Sequence, residues 1–169
     1  MSNKSFVNFS KPIVDGLKET FSMMIGTEIE IHSPQIKKNS RVKGDITATI
    51  GMNGNLEKNG QSQPFKGLVA LSLKESTYLK IASAMLMEDY TEYNEEVSDV
   101  GSEIVNIVMG NAKKELAPQG YKIEMATPST VRGKNHEIRY PPETQIVETV
   151  VSCEFGDFTL EICYQESIL

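Results

Sequence analysis

Two acids, an amide and a glycine recur at helical spacing in residues 99–110, DVGSEIVNIVMG. At about 100° per residue, and with Asp99 taken as zero, Glu103 falls at about 40° and Asn106 at about −20°. Gly110 falls at about 20° on the same scale. The four positions therefore form one narrow stripe along a predicted helix, called here the stripe.

The stripe holds no strong nucleophile and no set of metal ligands, but its amide suits one kind of reaction. An asparagine accepts a hydrogen bond with its oxygen and donates with its nitrogen while it stays neutral. Asn106 could therefore hold a water in line with a reactive bond. Positioning of this kind suffices when the bond is already activated, as in an acyl phosphate held on a metal. The other groups of such a reaction would come from a partner protein.

A simpler interpretation of the same residues also exists. A glycine inside a helix costs about 1 kcal/mol relative to alanine, and the usual compensation is close approach of another backbone. In the simpler interpretation Gly110 merely packs, and the polar residues form a solvated helix face. The stripe alone leaves both interpretations open.

The other side of this helix is apolar, which indicates how the helix lies in the fold. The pattern predicts one helix over residues 94–117, stopped by Pro118 and Gly120. Its apolar side would pack into the core and leave Asn106 in solvent. The apolar arc consists of Val97, Val100, Ile104, Ile107 and Val108, widened by Val105 and Met109.

Two further helices are predicted. The first runs over residues 10–25, with Ser10 as its N-cap, Pro12 in its first turn and Gly26 at its end. The second covers residues 74–87. Its side chains expected toward the core are Leu79, Ala82, Met85 and Leu86.

Alternating polar and apolar residues predict the strands. The strands are expected at residues 27–32, 41–51, 65–73 and 121–126, with a terminal hairpin over 145–165. In the second of them, Val42, Gly44, Ile46, Ala48 and Ile50 would point inward, and Lys43, Asp45, Thr47 and Thr49 outward. The connecting segments are an exposed connection at 53–64, an acidic linker at 88–96 and a loop at 127–142 that has room for a little extended structure.

The order of these elements is one helix, three strands, two helices and three strands. Such an order predicts an α+β fold, with a largely antiparallel sheet and helices packed on it. A chain of 169 residues is long enough for one domain with a real core, so we expect a single domain over residues 1–169.

Composition and motifs exclude several classes of function. The net charge is −6, so we expect no nucleic-acid partner. No apolar run approaches the roughly 20 residues of a membrane span, and the N-terminus lacks the apolar core of a signal peptide. We therefore expect a cytoplasmic protein. His32 and His136 lack metal-ligand spacing, and neither a phosphate-binding glycine loop nor a nucleophile elbow occurs.

The two cysteines are expected to be reduced. Residues 156–157 read as the turn of the terminal hairpin, a register in which residue 153 faces 160 and residue 163 faces 150. Cys153 and Cys163 would then lie on opposite faces of the sheet and could not form a disulfide.

A faint internal repeat relates the first predicted helix to the stripe. When residues 15–26 are set beneath 99–110, the Asp, Glu and Gly of the stripe coincide. Ser22 stands where the later copy has Asn106. The repeat suggests a pseudo-two-fold fold built from two similar halves.

The pattern Asp-x-x-x-Glu-x-x-Asn, with a glycine four residues later, resembles the signature of the CheC, CheX and FliY phosphatases of bacterial chemotaxis. Asp99, Glu103, Asn106 and Gly110 match it position by position. The opening FSKPIVDGL at residues 9–17 is similar to that of CheX proteins, and the order of elements fits over nearly the whole chain.

In two-site members of this family both helices carry the motif, whereas CheX-like members have lost the first copy. Ser22 leaves one intact site in this chain, so the resemblance is to a CheX-like member with the pseudo-two-fold CheC-like fold. The connection at 53–63 is longer than the family pattern leads us to expect.

The resemblance implies a phosphatase that acts on a phosphorylated response regulator like CheY. Asn106 would orient the attacking water, and Glu103 would contact the regulator's phosphate-binding lysine. Asp99 would be an edge contact, and Gly110 would admit the partner's backbone. The regulator, and not this chain, would bind Mg²⁺.

The resemblance also implies a homodimer that pairs through a sheet edge. Two alternatives remain open from the sequence. One is a non-catalytic CheC-like adaptor or flagellar-switch binding module, and the other is a phosphatase for a response regulator outside chemotaxis.

Overall fold

The computed structural model describes residues 3–167, in which eight strands form one antiparallel sheet. The helices are α1 (Asn3–Thr20), α2 (Glu75–Leu86), α3 (Glu95–Ser98) and α4 (Val100–Leu116). The strands are β1 (Glu30–Ile31), β2 (Gln35–Ile36), β3 (Ile46–Lys58), β4 (Gln61–Leu73), β5 (Tyr121–Met125), β6 (Ser129–Arg132), β7 (Ile146–Cys153) and β8 (Gly156–Glu166). The expected α+β class with an antiparallel sheet is confirmed.

The strands lie in the order β1–β7–β8–β4–β3–β5, with β2 also paired to β7 and β6 also paired to β3. Helices α1 and α4 pack on each other, and α4 also packs on β3. The predicted apolar arc of α4 faces this core: Val100, Ile104, Val105, Val108 and Met109 are buried. Burial of this arc leaves the opposite side of α4 to solvent. Within residues 3–167, no helix is both long enough and apolar enough to cross a bilayer.

The predicted start of the first helix is wrong. Helix α1 begins at Asn3, and both Ser10 and Pro12 lie in its interior. The Ser10 hydroxyl donates to the carbonyl of Val7 at 3.3 Å instead of capping a helix. A proline costs a helix interior one hydrogen bond, but tertiary packing on either side of it outweighs this cost. The side chains fully buried there are Phe9, Ile13 and Leu17.

The predicted end of that helix is confirmed, although in a different geometry. A π-helical turn, Phe21–Ile25, follows α1. Gly26 ends it in the left-handed conformation at φ 77°, and its N–H donates to the carbonyl of Phe21.

The segment predicted as an exposed connection, residues 53–64, is instead the far half of a long hairpin. Strands β3 and β4 pair from Ile46 with Leu73 to Lys58 with Gln61. Asn59 and Gly60 form the turn with φ values of 52° and 75°, as a type I′ turn requires. The glycine content that suggested a loop serves the sheet, since a Cβ on Gly54 would lie 1.9 Å from the carbonyl oxygen of Lys122 in β5.

The face that helix α2 turns to the core was predicted in part. Its buried residues are Thr77, Tyr78, Ile81 and Ala82, whereas Leu86 is 37% exposed. Of the four predicted side chains, Ala82 is fully buried, and Leu79 and Met85 are partly buried against the core. The segment at 127–142 is largely loop, and the short strand β6 is the extended structure expected there.

The second face of the sheet is also covered. Thr47, predicted to point outward, is fully buried and bonds to Ser72 Oγ at 3.0 Å and to His136 Nε2 at 2.7 Å. Lys37 and Glu161 form a buried ion pair on this face. Burial raises the pKa of the Glu161 carboxyl, although Lys37 opposes the shift.

The terminal hairpin turns two residues earlier than predicted. Cys153 pairs with Gly156, and Cys163 faces Ile146. The error leaves each side chain on its predicted face, because the register moves by an even number of residues. Both cysteines are free, as expected.

Candidate functional site

The predicted helix over residues 94–117 exists, but its regular hydrogen bonding is interrupted at Asp99, and this interruption is called the bend below. Asn94 caps its start, because its side-chain oxygen accepts from the N–H of Val97 at 3.0 Å. Asp99, at φ −88° and ψ −11°, separates α3 from α4. A 3₁₀ turn, Ala117–Gln119, and left-handed Gly120 end the helix near its predicted stop.

The stripe lies on the solvent side of this bent helix. Asp99, Glu103 and Asn106 are exposed, and Gly110 is half-buried. Glu103 lies in the first turn of α4, where the helix dipole favours a carboxylate. The solvent exposure predicted for Asn106 is confirmed.

The polar atoms of the stripe are free to meet another molecule. Among residues 3–167, the side chains of Asp99, Glu103 and Asn106 make no hydrogen bond or ion pair. A Cβ added at Gly110 would meet no atom within 4 Å. Packing within the described part of the chain therefore does not account for this glycine, and the simpler interpretation is wrong on that point.

Close packing fixes α4 beneath its exposed stripe. A Cβ on Gly101 would lie 3.0 Å from the Cβ of Ala48 in β3. The hydroxyls of Ser102 and Thr130 are 2.8 Å apart, which ties α4 to β6. On the other side, a Cβ on Gly16 of α1 would lie 2.8 Å from a backbone oxygen of α4. The stripe therefore stands on a rigid support, as a positioned site requires.

The first copy of the repeat occupies the matching helix but differs in detail. Asp15 accepts a hydrogen bond from Lys11 at 2.7 Å in an ion pair. Glu19 and Ser22 are exposed, and Ser22 lies in the π-helical turn. Gly26 lies beyond the helix and not inside it.

The histidines have structural partners. His32 Nε2 lies 2.7 Å from Ser152 Oγ, and His136 bridges Thr47 and the carbonyl of Gly133. Across residues 3–167, no group of three or more His, Cys, Asp or Glu side chains is arranged to hold a metal ion.

The comparison with protein families decides the family. The family model described as chemotaxis phosphatase CheX matches residues 46–152, well over half of the chain. The chain belongs to the chemotaxis phosphatase CheX family. The matched range includes the stripe and begins after α1, so it covers the second copy of the repeat and not the first.

Individual relatives of the CheX family agree with this assignment. The CheY-P phosphatase CheX of Thermotoga maritima is 23% identical over 129 residues, which are 75% of this chain and 77% of that protein. The crystal structure of chemotaxis protein CheX from Vibrio vulnificus is 34% identical, with a TM-score of 0.78 over 93% of this chain and 99% of that one.

A third relative shares the fold at lower identity. The CheX–CheY–BeF₃–Mg²⁺ complex from Borrelia burgdorferi contains a chain that is 20% identical, with a TM-score of 0.72 over 94% of this chain and 98% of that chain. The CheC-like fold expected from the resemblance is thus confirmed across nearly the whole chain.

Sequence reasoning found the stripe but missed the residues that hold it. Tyr78, Gly101 and Thr130 fix the start of α4, and none of them was singled out from the sequence. The sequence signal for Tyr78 is a tyrosine on a helix face that is buried. A buried phenol needs a hydrogen-bond partner, so such a tyrosine indicates a polar contact with another element.

Proposed function

We propose that the stripe dephosphorylates the phosphoaspartate of a CheY-type response regulator. Membership of the CheX family makes the chain a chemotaxis phosphatase. One observation carries the assignment to this stripe: Asn106 and Glu103 stand exposed and without partners on a rigidly seated helix.

In the proposed reaction, Asn106 enters the regulator's site and holds a water in line with the acyl phosphate bond. The water oxygen bonds to phosphorus, the bond between phosphorus and the aspartyl oxygen breaks, and inorganic phosphate leaves. The proton of the water passes to the phosphate or to solvent, so the amide stays neutral throughout. Its contribution is orientation of the water, which lowers the entropic part of the barrier.

The other residues of the stripe would hold the partner. Glu103 would accept a hydrogen bond from the regulator's phosphate-binding lysine, and such charge-assisted bonds are stronger than neutral ones. Asp99 would make a contact at the edge of the interface. Gly110, with open space where a side chain would stand, would admit the partner's backbone. The regulator would supply the Mg²⁺ that neutralises the phosphoryl charge.

The names of two relatives support this choice of partner. The Thermotoga maritima relative is a CheY-P phosphatase, and the Borrelia burgdorferi structure holds CheX together with CheY, BeF₃ and Mg²⁺. Residues of this chain do not distinguish a chemotaxis regulator from another response regulator, so several regulators belong in the test.

We also propose a cytoplasmic homodimer. The two-residue strands β1 and β2 lie at one edge of the sheet, beside the exposed apolar side chains of Ile36 and Val7. A second copy paired at this edge would cover both side chains. Ile36→Lys should then convert a dimer into a monomer in sedimentation velocity, whereas a wild-type monomer would contradict the dimer.

The decay of a phosphorylated CheY-type regulator tests the proposed function. Wild-type protein should accelerate the decay in excess Mg²⁺, and Asn106→Ala should lower the accelerated rate by about 10² or more. The thermal unfolding temperature of the variant should be unchanged, because Asn106 is exposed.

Two results would contradict the proposal. If the wild type binds the regulator without accelerating decay, the chain is the adaptor of the alternative hypothesis. If Asn106→Ala unfolds at a clearly lower temperature, the residue has a packing function instead.

A further inference from the structure

The bend at Asp99 coincides with a buried hydroxyl from another helix. Tyr78 of α2 is 1% exposed. Its hydroxyl donates to the carbonyl of Val97 at 2.6 Å and accepts from the N–H of Gly101 at 2.9 Å. The same oxygen also lies 3.3 Å from the carbonyl of Ser98.

The two backbone groups that Tyr78 joins are four residues apart. In an uninterrupted helix, the N–H of Gly101 would donate directly to the carbonyl of Val97. Regular bonds of this kind remain on both sides, from Ser98 to Asn94 at 3.1 Å and from Glu103 to Asp99 at 2.9 Å. At the interruption between α3 and α4, the N–H of Gly101 and the carbonyl of Val97 both bond to the phenol oxygen, which lies between them. Insertion of a side chain into the ladder is a recognised cause of helix kinks.

We propose that Tyr78 is a positioning residue of the phosphatase site, whose inserted hydroxyl sets the bend at Asp99 and thereby the placement of Asp99 relative to Glu103 and Asn106. This inference rests on the proposed function. Asn106 lies in the regular part of α4, beyond the bend, whereas Asp99 lies at the bend itself. The hydroxyl therefore acts on partner binding and not on the orientation of the attacking water.

The surroundings of Tyr78 leave its ring little freedom. A Cβ on Gly101 would lie 3.1 Å from ring atom Cε2, so the ring fills the space that the glycine leaves. The ring of Tyr93 packs beside it with a centroid distance of 5.9 Å. Arg132 stacks on Tyr93 at 4.5 Å and pairs with Glu75 at 2.6 Å, which closes the cluster from the outside.

The protonation state of the phenol suits this arrangement. Burial is the largest of several effects on the phenol of Tyr78 and raises its pKa to about 12. The hydroxyl therefore keeps its proton at neutral pH, so it can donate to one backbone group while it accepts from another.

Tyr78→Phe tests the proposal because it removes only the oxygen. Without it, the N–H of Gly101 and the carbonyl of Val97 lose the group that joins them, and we expect the backbone at Asp99 to rearrange. We expect KM for the phosphorylated regulator to rise about tenfold, the size of one lost polar contact at an interface, with kcat within about twofold of the wild type. Backbone amide chemical shifts should change at residues 97–103 and stay constant around Asn106.

Tyr164→Phe is the matched control. Tyr164 is likewise 1% exposed, and its hydroxyl bonds to Glu166 at 3.0 Å in β8, outside the site helix. It should lower the unfolding temperature without changing KM. If Tyr78→Phe leaves KM at the wild-type value, or lowers kcat as much as it raises KM, the proposal is wrong.

A double-mutant cycle separates a positioning effect from a general loss of stability. If Tyr78 acts through Asp99, then Tyr78→Phe should raise KM in the wild type and add nothing in an Asp99→Ala background. Additive effects would overturn the proposal.

Failure of the proposed function would give a different result. In that case the wild-type protein does not accelerate the decay of any regulator. The backbone amide chemical shifts of Tyr78→Phe then test the structural part of the proposal by themselves. Shifts confined to residues 97–103 in Tyr78→Phe would still support the inserted hydroxyl, and unchanged shifts would overturn it.

Discussion

Helices α1 and α4 carry similar stripes, but the two stripes differ in side-chain pairing and in helix geometry. Both present an Asp, a Glu, a small polar residue and a Gly at the same offsets. In α4 the carboxylate of Asp99 is unpaired and the helix runs regularly through Gly110. In α1 the matching Asp15 is paired with Lys11, and the regular helix ends at Thr20.

The backbone difference matters as much as the side-chain difference. Ser22 lies in a π-helical turn, in which successive residues are rotated by less than in an α-helix. A side chain at this position is therefore out of line with Glu19, even though the sequence offset matches that from Glu103 to Asn106. Under the proposed function, the chain keeps the packing of the repeat in both helices and its chemistry in α4 alone.

The largest effect we expect in this comparison concerns the two glutamates. Glu103→Lys should weaken binding to the phosphorylated regulator by about 10²-fold, because like charges brought together at an interface cost several kcal/mol. Glu19→Lys, on the matching position of α1, should leave the affinity unchanged. Titration by fluorescence anisotropy with labelled regulator measures both. Equal losses in the two variants would mean that both stripes take part in docking.

The two glycines should respond to alanine with opposite signs. Gly26→Ala should lower the free energy of unfolding by about 1 kcal/mol, since the left-handed conformation strains any residue with a Cβ. Gly110→Ala should raise it by up to about 1 kcal/mol, because alanine favours a helix interior and meets no neighbouring atom.

Urea denaturation of the two glycine variants gives these values. A stability loss in Gly110→Ala would show that this glycine serves the fold, and would remove the argument that it makes room for a partner.

The smallest expected effect is a failed rescue. Ser22→Asn placed in the Asn106→Ala background should restore no dephosphorylation, since the π-helical turn holds the new amide away from Glu19. The same decay assay measures it, with Asn106→Ala alone as the control. Recovery of a substantial part of the wild-type rate would show that residue type, and not helix geometry, silences the first copy.

The stripe, the fold class and the repeat could be predicted because they depend on patterns within short segments. Helical periodicity placed Asp99, Glu103 and Asn106 on one exposed face, and burial of the opposite arc followed from the same periodicity. The family resemblance then supplied the expected chemistry, which no single residue of the stripe reveals.

The failures of prediction come from interactions between segments. Composition suggested a loop at residues 53–64, although the Asn59–Gly60 pair is a strong hairpin signal and Gly54 allows β5 to approach. Ser10 and Pro12 looked like a helix start, but burial of the residues around them extends the helix. The bend at Asp99 depends on Tyr78, which is about twenty residues away in the chain, so no local sequence pattern predicts the bend.

The account's central claim is that the amide of Asn106, and not the stripe in general, performs the chemistry. The most direct test is Asn106→Ser, which gives α4 the same four residue types as α1, measured beside Ser22→Ala in single-turnover decay of the phosphorylated regulator. We predict that Asn106→Ser falls to the intrinsic decay rate of the regulator and that Ser22→Ala keeps the wild-type rate. Wild-type activity in Asn106→Ser, or loss of activity in Ser22→Ala, would contradict the claim.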